Sequence, residues 1–230
     1  MKLSNYLLLA ALSLTASCGD TGGAAQDTQD TTAKANTSID AARDSWQASG
    51  ELFTVLGGVK GKLVADLFAA DGYMTFKLIE AGANVIAIDT DQKNLDAIDA
   101  RKKEMVLGDD RLKTRLVEPG EAGITMAEAD LALCMHRWTS ITDKAAYFHA
   151  VRAGLKSPKI VGVVEFLKME TPVGPPVEQR VNEMQVMDEI EVGGFTDITG
   201  LTKKLPYQFI IIGQDVIDVP DAPGEEEPQP

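Results

Sequence analysis

The stretch that most constrains this chain is Lys62–Asp91, KLVADLFAADGYMTFKLIEAGANVIAIDTD. Two apolar runs, Leu63–Phe68 and Val85–Ile88, are too short for helices and rich enough in branched residues for buried strands. Between them an Ala69-Ala70-Asp71-Gly72 turn leads into Tyr73–Glu80, where apolar residues recur at helical spacing, and Gly82 is the stop signal. Strand, turn, helix and second strand together take about 30 residues, the length of a crossover between parallel strands. The second strand ends on Asp89. Ligands collect at the carboxyl ends of strands in open parallel sheets, and an acid there suits the hydroxyls of a ribose.

The turn decides between nucleoside ligands. A dinucleotide fingerprint needs glycine at positions 68, 70 and 73, where this chain has Phe68, Ala70 and Tyr73. The turn is also acidic, with Asp66 and Asp71 near Asp89 and Asp91 and only Lys77 close by. That is a poor cradle for a pyrophosphate. S-adenosylmethionine has no phosphate; its sulfonium and amino group are cations, which carboxylates tolerate or favour.

Lys62–Asp91 resembles the first two motifs of class I S-adenosylmethionine-dependent methyltransferases, strand–Asp-x-Gly-x-Gly-x-Gly–helix–strand–Asp. Asp66, Gly72 and Asp89 fit that pattern. Phe68 and Ala70 stand where the first two glycines belong, and a phenyl ring there has the size to fill the space of the methionine moiety. The resemblance implies a Rossmann-like α/β fold, doubly wound, with a seven-stranded sheet that is mostly parallel and ends in an antiparallel strand. It implies S-adenosylmethionine as cofactor, with Asp66, Phe68, Ala70 and Gly72 at its methionine end and Asp89 on the ribose.

The remaining elements follow in order. Ile39–Val59 reads as a helical lead-in covering the sheet edge or the pocket mouth, and Gln92–Met105 as a helix with Leu95, Ile98 and Met105 inward. Leu112–Val117 is the third strand. The family places an acid just after it for the adenine; Gly120 holds that position here, flanked by Glu118 and Glu121. Asp130–Met135 is the fourth strand, and ADLALCMHRWTSI resembles a segment of exported bacterial methyltransferase-like proteins in which a pair of histidines follows. Thr139-Ser140 replaces that pair, while His136 remains just past the strand end. His136 is the best-placed general base in the chain, against the plainer reading of a structural histidine. His149 falls in a helix over Asp143–Gly154. Lys159–Leu167 is the fifth strand, followed by a proline-rich loop and a helix over Val177–Val192; the loop borders the acceptor pocket in the family. Phe195 opens a sixth strand, and Leu205–Gly213 is the last, with Pro206 in its first residues.

The ends read differently. Residues 1–17 carry Lys2, an apolar run over Tyr6–Leu14 and small residues before Cys18, which resembles a lipoprotein signal peptide. This implies lipidation of Cys18, export and anchoring in a bacterial envelope membrane, with Gly19 pointing to the outer one. Residues 18–38 hold no aromatic or large aliphatic side chain and read as a disordered tether. Residues 39–214 are the folded domain. Residues 215–230, with six acids, four prolines and no base, read as an acidic disordered tail. A net charge of -13 argues against nucleic acid as a partner. No Cys/His cluster has metal-ligand spacing, so no metal is expected. Two functions are open: a methyltransferase of unknown acceptor, or a catalytically inactive binding or scaffolding module on the same fold.

Overall fold

The computed structural model describes residues 41–215; the expected leader, Cys18, the tether, Ile39 and nearly all of the tail lie outside the described residues. Helix α1 occupies residues 41–47. It is followed by α2 (Ser49–Val55), β1 (Leu63–Leu67), α3 (Tyr73–Glu80), β2 (Asn84–Asp89), α4 (Gln92–Glu104) and β3 (Leu112–Leu116). Then come β4 (Ala129–Met135), α5 (Lys144–Gly154), β5 (Leu155–Phe166), α6 (Glu183–Val192), β6 (Asp197–Leu201) and β7 (Gln208–Gln214).

The seven strands form one sheet in the order β3-β2-β1-β4-β5-β7-β6. β1, β2, β3, β4 and β5 pair in parallel, while β7 runs antiparallel to both β5 and β6. The period of two in the strands sorts their side chains onto two cores. Val64, Val85, Ala87, Leu131, Leu133 and Val164 meet α2, α3 and α4 on one face. Ala65, Leu67, Ile86, Ile88, Ala132, Cys134 and Val163 meet α5 and α6 on the other. Helices cover both faces, so the fold is the doubly wound α/β sheet with an antiparallel last strand. The chain order reverses between β1 and β4, which makes the carboxyl ends of those strands the topological switch point.

Several boundaries differ from the sequence reading, each for a local reason. The lead-in is two helices because Ala48 takes a positive φ of 43° and breaks the run. Met105 is the C-cap of α4 and is exposed, so Leu95 and Ile98 alone are buried on that helix. The helix expected from Val177 starts only at Glu183, where the Asn182 side chain accepts from Met184 N and caps it. Before the cap, Arg180 is extended, and it turns inward to donate to the carbonyls of Leu167, Met169, Val173 and Pro175. Pro206 lies outside β7, which begins at Gln208, and β6 begins at Asp197, two residues past Phe195. Cys134 is a free, buried cysteine on β4.

Candidate functional site at the carboxyl ends of β1, β2 and β4

Register places three chain exits side by side. Leu67 pairs with Ile88 on one side and with Cys134 on the other, so Phe68, Asp89 and the residues after Met135 leave the sheet at one level. Ala69 N donates to Ile88 O and His136 N to Val164 O, which carries the ladder just past the strand ends.

The turn after β1 has φ of 58° at Phe68, 50° at Ala70 and 77° at Gly72. Only Gly72 takes that conformation without cost; a side chain there would also meet Ile98 Cγ1 at 2.7 Å. Asp89 holds the turn in place: its Oδ2 accepts from Ala70 N at 2.8 Å, and its Oδ1 from Asp91 N at 2.8 Å and from Asn94 at 3.2 Å. Asp66, 2% exposed, accepts a hydrogen bond from Thr75 Oγ1 on α3. Burial, reinforced by the charges of Asp89 and Asp71 and opposed by the Thr75 bond, pushes its carboxyl up to about 7.

Two cavities open here, with Phe68 and Arg137 in the wall of both. The first, about 280 Å3, is lined by Asp89, Thr90, Pro119, Gly120, Ile141 and Tyr147 among others. The second, about 320 Å3, holds Asp66, Ala70, Trp46, Gln47, His136 and Phe166. The Phe68 ring stacks on Tyr147 with centroids 5.7 Å apart. Each cavity alone is at the small end of the roughly 300–1,000 Å3 that ligand sites occupy.

Helix α1 borders the second cavity with Arg43, Trp46 and Gln47 and is tied to the turn by charge. Arg43 pairs with Asp71 at 2.6 Å, and Asp44 accepts from Tyr73 Oη at 2.7 Å and from Lys77 at 2.9 Å. Gln47 is 5% exposed, and its Oε1 has no hydrogen-bond partner among the described residues.

His136 also has a positive φ, 56°. Its ring lies against Phe166 (4.5 Å, 26°), and its Nε2 meets the Gln208 amide nitrogen at 2.6 Å. With the amide donating, Nε2 accepts and the proton sits on Nδ1. Burial and the charges of Arg43 and Arg137 pull the imidazole down to about 4, so it is neutral at pH 7. Phe166 is held in turn by Gly174, whose φ is 101° and where a Cβ would stand 2.7 Å from the ring. On the far side of β5, Glu165 accepts from Trp138 N at 2.8 Å, and burial pushes its carboxyl up to about 7.

Asp66, Phe68, Ala70, Asp89 and His136 thus converge on the two cavities, with Gly72 at the base of the turn. Glu118 and Glu121 do not line them: both are exposed, Glu121 accepts from Glu118 N, and the wall at this point is Pro119 and Gly120. Sequence reasoning missed Gln47, Arg137, Tyr147 and Gln208. Arg137 was within reach, being next to His136 in a segment singled out already; the others depend on elements far apart in the chain. Among the described residues no group of His, Cys, Asp and Glu is arranged to hold a metal, and no helix is long and apolar enough to cross a membrane.

No protein-family profile and no curated protein matches this sequence. Solved structures do match its fold. A S-adenosylmethionine-dependent methyltransferase from Aquifex aeolicus superposes with a TM-score of 0.67 over 80% of this chain and 98% of its own, at 17% identity. The magnesium protoporphyrin IX methyltransferase of Synechocystis PCC 6803, solved with bound S-adenosylmethionine, gives 0.53 over 86% of each chain at 14% identity. The [4+2]-cyclase SpnF gives 0.59 over 74% of this chain and 83% of its own, also at 14% identity. The fold is therefore that of the class I methyltransferases.

Proposed function

We propose that this chain is a S-adenosylmethionine-dependent methyltransferase whose cofactor lies across the carboxyl ends of β1, β2 and β4. The observation that carries the reading is the turn after β1. Positive φ at 68, 70 and 72 keeps the path of a three-glycine turn although two of the glycines are gone, and Asp89 clasps that path from β2.

The groups around the turn fit the cofactor's chemistry. Asp66 has carboxylates as its charged neighbours, and Gln47 Oε1 is a buried acceptor without a donor. A cationic amino group between them would favour the ionised Asp66 and supply the missing donor, while the sulfonium would add only its charge. Asp89 Oδ2 accepts one N–H and keeps a lone pair for a ribose hydroxyl. When bound, S-adenosylmethionine supplies an electrophilic methyl group on a sulfonium. The chain's own part is positioning, which is most of what such a transfer needs. Asp66 and Gly72 hold the methionine end and Asp89 the ribose. Pro119 and Gly120 form the adenine wall, with Glu118 and Glu121 at its rim. His136, neutral and engaged at Nε2, acts as a wall of the acceptor end.

Phe68 favours a second reading. Its ring divides the crevice, and a ligand spanning both cavities needs that ring to swing off Tyr147. A ring that stays in place makes the fold a binding module without cofactor. Titration of S-adenosylhomocysteine separates the two. The methyltransferase reading expects binding by the native chain, weakened at least tenfold in Asp89→Ala, as loss of a hydrogen bond worth about 1.4 kcal/mol or more requires. The binding-module reading expects none in the native chain and a gain in the Phe68→Gly, Ala70→Gly double variant.

We further propose that the protein works outside the cytoplasm, held to an envelope membrane through lipid on Cys18. The small residues before Cys18 support this. Fatty-acid labelling lost in Cys18→Ser would agree; labelling that survives would refute it.

A further inference from the structure

The second cavity carries two features that the cofactor itself does not use. One is an aromatic wall at the ends of β4 and β5. Trp46 lies 5.6 Å from Phe166 and 6.2 Å from His136, and His136 stacks on Phe166 at 4.5 Å, so three rings pack into one aromatic cluster in the wall of this cavity. The other is Arg137. Its main-chain N–H is fixed on the Glu165 carboxylate, yet its guanidinium has no hydrogen bond or ion pair among the described residues. Arg43, the other arginine of this cavity, is already taken up by Asp71.

A half-buried guanidinium without a counter-ion is costly unless an anion meets it, and its planar fork matches a carboxylate with two parallel hydrogen bonds. An aromatic cluster favours an aromatic partner, since edge-to-face and offset ring pairs add to the burial of apolar area. The cavity is not positive as a whole, since Asp66 and Asp71 line it beside the two arginines and the chain carries -13, so an anion gains nothing from the rest of the surface. It would be selected by this one group.

We infer that the methyl acceptor is a small aromatic carboxylate, its ring on the Trp46–Phe166–His136 wall and its acid on Arg137. This rests on the methyltransferase reading for the word acceptor; the binding site itself does not. Arg137 is then a specificity-determining residue. A carboxylate could also come from the methionine end of the cofactor, so the test must tell the two sources apart.

The test is equilibrium binding to the intact chain without cofactor, followed by tryptophan fluorescence. Of the two tryptophans, Trp138 is 1% exposed, so Trp46 is the reporter. The probes are 4-hydroxybenzoate, its neutral counterpart 4-hydroxybenzyl alcohol, and S-adenosylhomocysteine. We expect the acid to bind about tenfold or more tighter than the alcohol, a preference lost in Arg137→Gln and only partly kept in Arg137→Lys, which retains the charge but not the fork, with thermal unfolding of both variants unchanged. Equal binding of acid and alcohol, or a preference that survives Arg137→Gln, overturns the inference. So does a variant that weakens S-adenosylhomocysteine while leaving the benzoate untouched, because Arg137 then serves the cofactor. Benzoate binding with no S-adenosylhomocysteine binding sinks the methyltransferase reading and leaves the anion site standing.

Discussion

Phe68, Ala70 and His136 have backbones in a region that side chains with a Cβ avoid, at a cost of about 1–2 kcal/mol each. They are three of the seven non-glycine residues with positive φ in the described chain, and all three border the same crevice. Strain of this kind persists where the surroundings over-determine the conformation, here through Asp89, the β1–β2 ladder and the Phe166 stack. Ala70→Gly should therefore stabilise the fold by about 1 kcal/mol, against the usual penalty for glycine, as chemical denaturation would show. A loss of stability would mean the turn is not strained at that residue. Asp66 gives a pH signature. Its folded value of about 7 lies above its ordinary 3.8, so between these values the unfolded chain releases a proton that the folded chain keeps. Stability then falls as pH rises from about 4 to about 7 and stays low above that. Asp66→Asn removes this contribution and can still accept from Thr75. Its melting temperature relative to the native chain should rise across that window, by roughly 2–4 °C per kcal/mol relieved. Glu165 titrates in the same direction, which is why the difference between variant and native chain is the quantity to follow.

At the scale of elements, the segment between β5 and α6 shows how one side chain shapes a site without touching a ligand. Arg180, 6% exposed, donates to four carbonyls and to Thr171 Oγ1, and its guanidinium lies 5.4 Å from the Phe166 ring centroid. It shapes the loop that sets Gly174 on Phe166, and through Phe166 it positions His136. Arg180→Met should cost about 2–4 kcal/mol, because four loop carbonyls and Thr171 lose one buried charged donor at once. Residues 167–176 should become the first site of proteolytic cleavage, and protection equal to the native chain would contradict this. The same segment marks the limit of reading elements from sequence. Apolar spacing ran unbroken from Val177, and nothing local revealed that Arg180 would be drawn out of a helix by carbonyls as far as 13 residues back. Met105 failed likewise, since a helix's last apolar residue can be its cap. β1, α3, β2 and α4 were legible because the short apolar runs, the turn ending at Gly72, the helical spacing of Tyr73–Glu80 and the Gly82 stop agree with one another there.

For the whole molecule, strand order was readable only through the family resemblance, since alternation of strands and helices fixes a parallel sheet but not which strands adjoin. The switch point between β1 and β4 followed, and with it the placement of Asp66, Asp89 and His136. The size of Phe68 and a lead-in at the pocket mouth were anticipated; what no sequence argument supplied is that Phe68 borders two separate cavities and that α1 ties to the turn across about 30 positions. These depend on packing between elements, and they decide whether the fold still holds a cofactor. Isothermal titration of S-adenosylmethionine into the intact chain tests that claim most directly. One-to-one binding in the micromolar range, as the cofactor reading expects, would mean that the Phe68 ring yields and the two cavities join. No heat at millimolar ligand would mean that Phe68 closes the site, and the methyltransferase reading would fall.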